Sequence, residues 1–189
     1  MNSGNIMIVG VGGQGTLVAS RLLGNLFVNA GMDVKMSEVH GMSQRGGSVV
    51  TYVRYGEKVY SPVISAGEAD FIVAFEKIEA ARYAECLKAE GTIIVNSRER
   101  EPMSVTTGQA KYPHEILNEM ADEGIDLDSF DALKLAREAG SDKAVNIVLM
   151  GRLSKYFNFP EEDWINALKN TVKPATYEIN EKAFRLGRK

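Results

Sequence analysis

The sequence predicts an α/β fold in which helices cover both faces of a mostly parallel β-sheet. Short apolar runs typical of buried strands alternate with segments of helical periodicity. A glycine-rich turn over residues 10–15 joins the first strand to the first helix, and residues 71–96 place a strand, a helix and a strand in βαβ order. The 189 residues suit a single domain, 1–189, built as a Rossmann-like three-layer sandwich with a helical C-terminal part.

Individual elements follow from apolar periodicity and from turn residues. Strands are predicted at 5–9, 33–39 and 48–55, as a short edge strand at 59–60, at 71–74 and 92–96, and near 104–106. Helices are predicted at 16–30, 76–87 and 114–121, from 141 or 142 to about 156, from 160, and from about 175. Residues 125–130 fit neither pattern alone.

Composition narrows the classes of function. The chain is 44% hydrophobic and 25% charged with a net charge of −3, whereas a nucleic-acid-binding domain usually carries a basic surplus. Its one cysteine, Cys86, excludes an internal disulfide, and an iron–sulfur cluster needs about four thiolates. No apolar run reaches the ~18 residues that span a membrane, and the N-terminus lacks a signal-peptide pattern. We therefore expect a cytoplasmic protein that contacts neither nucleic acid nor membrane.

The first candidate site is the glycine loop, in which Gly10, Gly12, Gly13, Gln14 and Gly15 follow a strand and open a helix. This G-x-G-x-x-G pattern lets the backbone turn tightly, and the helix N-terminus then offers free N–H groups to an anion. The loop is a candidate site for a phosphate, including a phosphate of coenzyme A (CoA). The alternative is that the glycines only allow close packing of strand and helix.

A nicotinamide dinucleotide site would also need an acid about 20 residues further on. Asp33 lies 23 residues after Gly10 but precedes the second strand, whereas Glu38 lies near the end of that strand. Spacing alone therefore does not decide which of the two acids would bind a ribose.

The second candidate site is the polar loop that follows the second strand, over residues 38–47. Ligands of such folds bind at the carboxyl ends of strands, so this loop is expected at the site or at an interface. Its candidate residues are His40, Ser43, Gln44, Arg45, Gly46 and Gly47.

Taken together, the two loops resemble the gamma-type domain of 2-oxoacid:ferredoxin oxidoreductases. Ser43-Gln44-Arg45-Gly46-Gly47 at this spacing from the glycine loop is the specific part of the match, which extends over nearly the whole chain. The resemblance implies an accessory subunit, of the type that acts on indolepyruvate or a similar aryl 2-oxoacid. In this family 2-oxoacids are oxidatively decarboxylated to acyl-CoA, and the electrons pass to ferredoxin.

The resemblance also implies where the cofactors are. Thiamine diphosphate, magnesium and iron–sulfur clusters would belong to a larger alpha subunit, with CoA as cosubstrate and ferredoxin reached through the complex. The residues agree, because this chain has too few thiolates for a cluster and no evident thiamine diphosphate motif. No catalytic residue and no metal ligand is therefore assigned to this chain.

Alternatives stay open at this point. His40 is either a proton-transfer or substrate residue, or a structural hydrogen-bonding histidine. Arg45 either holds a carboxylate or phosphate through its planar guanidinium, or pairs with an acid across an interface. For the whole chain, the alternatives are a gamma subunit for another 2-oxoacid such as pyruvate, a stand-alone Rossmann-type reductase, and a module for assembly only.

Overall fold

A computed structural model describes residues 3–42 and 46–189. Within them lie six strands: β1 (Gly4–Val11), β2 (Asp33–His40), β3 (Ser48–Gly56), β4 (Ala69–Ala74), β5 (Leu87–Asn96) and β6 (Asp126–Phe130). The α-helices are α1 (Thr16–Asn29), α2 (Lys77–Arg82), α3 (Met103–Thr106), α4 (Ile116–Asp122), α5 (Ala132–Ala139), α6 (Val145–Leu153), α7 (Glu161–Lys169) and α8 (Tyr177–Arg188). Several short 3₁₀ turns join these elements.

The strands form one mixed sheet in the order β2-β3-β1-β4-β5-β6. The pairs β1–β4, β4–β5 and β5–β6 are parallel, while β3 runs antiparallel to both β1 and β2. The α/β prediction and the βαβ unit formed by β4, α2 and β5 are confirmed. Because β3 is reversed, its first residues lie at the same sheet edge as the carboxyl ends of β1, β2 and β4.

Helices on both sides of the sheet give the three predicted layers. Alternation along β1 sends Ile6 and Ile8 into a core with α1 and the C-terminal helices, while Met7 and Val9 face α2 and α4. All four side chains are fully buried. A strand that is apolar on both faces is typical of the centre of a covered sheet, and this strand carries the glycine loop at its end.

The C-terminal helices α6 and α8 pack with their backbones almost in contact. An added Cβ on Gly151 of α6 would lie 2.1 Å from the Phe184 carbonyl oxygen, and one on Gly187 of α8 would lie 2.0 Å from the Val148 carbonyl oxygen. Glycine is required here because nothing larger fits between the helices. This close crossing fixes the position of α6, whose first turn reaches the candidate site.

Three predictions of local structure are wrong. Residues 59–60 form no strand, because the Val59 N–H donates to the Asp33 carboxylate at 3.0 Å instead of to a neighbouring strand. Residues 103–106 are helical rather than extended, and the Thr107 N–H donates to the Met103 carbonyl at 2.9 Å. Helix α2 ends at Arg82, five residues early, because Leu87 already begins β5.

The ambiguous segment 125–130 contributes the edge strand β6, and α5 was not predicted. The predicted N-cap Ser141 accepts a hydrogen bond from the Lys143 N–H at 3.2 Å, in the short turn that leads into α6. No helix in the described ranges is long and apolar enough to cross a membrane.

Candidate functional site

The structure brings the two predicted loops together. The Gly12 N–H donates to the Gly47 carbonyl oxygen at 2.9 Å, at the point where β1 ends and β3 begins. Gly46 is exposed with a φ of +82°. The other predicted loop residues, Ser43, Gln44 and Arg45, lie outside the described residues.

Gln14 holds the glycine loop in shape. Its Oε1 accepts a hydrogen bond from the Val11 N–H at 2.6 Å, and its own N–H donates to the Val11 carbonyl at 3.2 Å. The loop therefore closes on itself through this side chain. An added Cβ on Gly10 would lie 2.8 Å from Gln14 Oε1 and 3.1 Å from Phe75 Cβ, so the turn leaves no room for one.

Gly15 joins the glycine loop to the start of α6. It has a φ of +90°, and an added Cβ would lie 2.7 Å from the Asn146 side-chain nitrogen. That nitrogen donates to the Gly15 carbonyl at 3.3 Å, and Asn146 is buried. Position 15 thus requires glycine both for its backbone conformation and for space.

A cleft of about 710 Å³ opens beside the glycine loop at the carboxyl edge of the sheet. Its walls come from the start of α1, the segments after β4 and β5, and the start of α6. The lining residues outside the loop are Val18, Phe75, Glu76, Asn96, Arg98, Arg100, Asp142, Lys143, Val145 and Asn146.

The cleft has the electrostatics of an anion site. Arg98, Arg100 and Lys143 line it, and no carboxylate of the described residues forms an ion pair with any of them. Helix α1 begins here without a side-chain cap and without an acid in its first turn. Helix α6 continues a short 3₁₀ turn, Asp142–Ala144, which the Ser141 side chain caps and which carries Asp142. The positive end of the α1 dipole therefore adds to three cationic side chains.

The two acids of the cleft are already engaged. Arg137 donates to Asp142 through Nε at 3.0 Å and Nη2 at 3.2 Å, and this pairing lowers the pKa of the Asp142 carboxyl. The buried carboxylate of Glu76 accepts from the Tyr112 hydroxyl at 2.8 Å and from the Glu79 N–H at 3.1 Å. Both acids thus have their hydrogen-bond partners outside the three cations, although the charge of Arg98 also contributes to the lowered pKa of Asp142.

A second, shallower cleft of about 430 Å³ lies on the other side of the loop and contains Glu38 and His40. Glu38 accepts from the Thr16 hydroxyl at 3.1 Å and the Thr51 hydroxyl at 3.2 Å. His40 is exposed, and its Nδ1 lies 3.0 Å from the Gly41 carbonyl oxygen. Glu38 and His40 are thus held by different partners, and their spacing of two residues is that of side chains on one face of a strand.

The geometry departs from that of a dinucleotide site. In that site the acid ends the strand next to β1, but here β3 lies between β1 and β2. Asp33 lies at the far end of β2 and pairs with Lys35 at 2.7 Å, which lowers the pKa of Asp33. Glu38 is engaged with Thr16 and Thr51.

Sequence reasoning missed the three cations of the cleft. Arg98 and Arg100 follow β5, and the rule that ligands bind beyond strand ends would have marked them. Lys143 lies 128 residues after Gly15 and reaches the cleft only through the packing of α6, so no sequence signal pointed to it. In the ranges 3–42 and 46–189, no group of three or more His, Cys, Asp or Glu side chains is placed to hold a metal ion.

Comparison with known proteins identifies the family. The family model of pyruvate ferredoxin/flavodoxin oxidoreductase matches residues 5–189. The chain belongs to this family. It is 46% identical to the indolepyruvate oxidoreductase subunit IorB of Thermococcus kodakarensis, over 99% of this chain and 95% of that protein.

Solved structures show the same fold. The gamma subunit of a keto/oxoacid ferredoxin oxidoreductase from Geobacter sulfurreducens matches 97% of this chain and 95% of its own, with a TM-score of 0.73 and 21% identity. A 2-oxoglutarate:ferredoxin oxidoreductase from Magnetococcus marinus, solved with coenzyme A bound, matches 100% of this chain but 31% of its own, with a TM-score of 0.74 and 19% identity. The fold thus occurs both as a separate subunit and within a longer chain.

Proposed function

We propose that this protein is the accessory subunit of an indolepyruvate:ferredoxin oxidoreductase. The complex oxidatively decarboxylates arylpyruvates to acyl-CoA and passes the electrons to ferredoxin. Family membership and the 46% identity to a subunit of that name support the assignment. That subunit matches 99% of this chain, so we also propose its substrate class, the arylpyruvates, for this protein.

The chain needs a partner for the redox chemistry. Cys86 is its only thiol, so this chain alone cannot ligate a cluster. We place thiamine diphosphate, magnesium and the iron–sulfur clusters on a larger alpha subunit, through which electrons reach ferredoxin. Those groups supply the decarboxylation and electron transfer, while this chain binds and orients a substrate or a subunit beside them. The cytoplasmic location stays a prediction.

The anion cleft supports a proposed role for this subunit in the reaction. CoA is the polyanionic substrate of the proposed reaction, and its phosphates match a site made of a glycine loop, the uncapped start of α1 and three cations. We propose that the cleft receives CoA phosphates. The observation that carries this step is the convergence of Arg98, Arg100 and Lys143 on the Gly13–Gly15 segment.

Steady-state kinetics of the reconstituted complex test this role. Replacing Arg98 and Arg100 by Ala removes two exposed cations, each worth about 0.5–1 kcal/mol of anion binding, so KM for CoA should rise about 5- to 30-fold. KM for indolepyruvate should stay unchanged. Lys169→Ala serves as the matched control, because it removes an exposed cation at the end of α7 that does not line the cleft. An unchanged KM for CoA in the double variant would contradict the proposed site.

The same complex separates the alternatives. Relative kcat/KM for indolepyruvate and pyruvate distinguishes an arylpyruvate enzyme from a gamma subunit for another 2-oxoacid. Calorimetric titration of the isolated chain with NAD and NADP tests the stand-alone reductase, which requires micromolar binding. Arg45→Ala in the complex tests the assembly-only alternative, which predicts weaker assembly with unchanged CoA dependence.

A further inference from the structure

Glu99 lies between the two arginines of the anion cleft but is directed away from it. Arg98 and Arg100 line the cleft, whereas Glu99 does not. Its carboxylate instead lies 2.8 Å from Lys77 Nζ through Oε1 and 2.9 Å from His114 Nδ1 through Oε2. The hydrogen bond from Lys77, and then that from His114, lower the pKa of the Glu99 carboxyl. Side chains of an extended segment alternate between two sides, so a contact that fixes Glu99 on one side directs its two neighbours to the other.

Both partners of Glu99 are fixed at the start of helix α2. Lys77 is the first residue of that helix, and its side chain is 15% exposed. His114 lies two residues after Tyr112, whose hydroxyl donates to the buried Glu76 carboxylate at 2.8 Å. Glu76 in turn accepts a hydrogen bond at 3.1 Å from a backbone N–H in the first turn of α2. The segment with the two arginines is thus tied through Glu99 to a buried part of the fold.

The segment has few other attachments. Its beginning is fixed, because the Ser97 N–H donates to the Phe130 carbonyl at 2.9 Å and continues the pairing of β5 with β6. For residues 98–101, the polar contacts to the rest of the described chain are those of Glu99 and a hydrogen bond from the Arg100 backbone to Tyr112. Loss of the Glu99 contacts would therefore leave both arginines on a less restrained segment.

The charge of Glu99 makes this position informative. A carboxylate between two arginines that bind an anion also repels the anion, so charge alone disfavours an acid here. The same carboxylate, through its pairing with Lys77, holds the arginines in place. Removal of the carboxylate should therefore tighten anion binding if only its charge matters, and weaken anion binding if its hold on the arginines matters more.

We propose that Glu99 is a positioning residue of the anion cleft, which holds Arg98 and Arg100 toward the bound anion through its contacts with Lys77 and His114. This inference rests on the proposed function, because it takes the cleft as the site of the CoA phosphates. Glu99 contacts no substrate itself and acts through the two arginines.

Calorimetric titration of the full chain with inorganic pyrophosphate tests the inference, and KM for CoA in the reconstituted complex gives the functional readout. The variants are Glu99→Ala, Glu99→Gln, which keeps the size of the side chain and removes its charge, and Glu99→Ala combined with Arg98→Ala and Arg100→Ala. Glu101→Ala is the matched control. It removes an exposed carboxylate next to Arg100 that forms no ion pair within residues 3–42 and 46–189.

We expect Glu99→Ala to weaken pyrophosphate binding about three- to tenfold, because binding must then order the arginines that the variant releases. Glu99→Gln should weaken it at least about twofold for the same reason. KM for CoA should rise with the dissociation constant, while kcat and KM for indolepyruvate stay unchanged. In the variant without both arginines, Glu99→Ala should cause no further loss. Glu101→Ala should bind pyrophosphate at least as tightly as wild type.

Equal or tighter pyrophosphate binding in Glu99→Ala would overturn the inference, because the charge would then outweigh any hold on the arginines. A further loss in the variant without the arginines, or no pyrophosphate binding by the wild-type chain, would overturn it as well. An unchanged KM for CoA in Glu99→Ala would also do so if the loss of both arginines raises that KM. If neither change affects KM for CoA while both weaken pyrophosphate binding, the inference stands and the proposed CoA site fails instead.

Discussion

The packing of α6 against α8 yields the sharpest stability prediction, because Gly151→Ala inserts a carbon between two backbones. The new Cβ would lie 2.1 Å from the Phe184 carbonyl oxygen and 3.0 Å from the Arg188 nitrogen. Carbon and carbonyl oxygen approach to about 3.3 Å at closest, so the helices must separate locally by roughly 1 Å. Such a gap loses a quarter to a half of the dispersion energy across the contact.

Overpacking costs about 1–3 kcal/mol, and this case belongs at the upper end because neither atom is on a flexible side chain. Alanine returns about 1 kcal/mol of helix propensity, so the free energy of unfolding should fall by about 2 kcal/mol. Urea unfolding of the isolated chain, followed by circular dichroism, measures this difference.

Gly24→Ala in α1 is the matched control, since it changes the same residue type within a helix. The new Cβ would meet only the thioether end of Met36, at 3.0 and 3.1 Å, and that side chain is 44% exposed and can move. Its free energy of unfolding should stay equal or rise by up to about 1 kcal/mol. Equal stability of Gly151→Ala and Gly24→Ala would refute the reasoning about the helix crossing.

Three further predictions concern the pH dependence, an ion pair and the glycine loop. Burial raises the pKa of Tyr55 to about 12 from its ordinary value of 10, so this residue's contribution to stability is complete below pH 10 and is lost between about pH 10 and 12. Unfolding at pH 8 and 11.5 should show a loss about 2 kcal/mol smaller in Tyr55→Phe than in wild type; equal losses would contradict the assignment. Arg152→Lys should lower the free energy of unfolding by about 1–2 kcal/mol in urea titrations, because Arg152 Nε lies 2.9 and 2.8 Å from the two Asp128 oxygens and its guanidinium lies over Phe130, whereas lysine offers a point charge. An unchanged free energy of unfolding would mean that solvent screens the Arg152–Asp128 ion pair and would contradict this prediction. Gly15→Ala should raise KM for CoA in the complex at least about tenfold, since its φ of +90° strains any side chain and the new Cβ displaces the start of α6; an unchanged KM would separate the loop from CoA binding.

Local patterns predicted the first four strands and helix α1 well and several later segments poorly. The strands β1 to β4 and helix α1 were placed within two residues, because apolar runs there are buried on both faces or end at glycines. Residues 104–106 were predicted as a strand from their β-branched side chains, yet the segment follows Pro102 and closes a short helix on its own carbonyls. The reversal of β3 was also beyond local reasoning, since pairing direction depends on the whole sheet.

The candidate site was predicted in part. Both loops follow predicted strands, so both were expected at the carboxyl ends of the strands. The Gly12–Gly47 hydrogen bond is consistent with that reasoning. The positive cleft was not anticipated, because Lys143 lies in the turn before α6, whose position is set by packing far away in the sequence.

The most direct measurement of the central claim is turnover of indolepyruvate by this chain with and without a larger subunit. The assay follows CoA-dependent reduction of ferredoxin by the purified chain, by the partner alone and by the reconstituted pair. We predict no turnover by the 20.7 kDa chain alone and CoA-dependent turnover by the pair. Oxidation of indolepyruvate by the isolated chain, or full activity of the partner without it, would contradict the account.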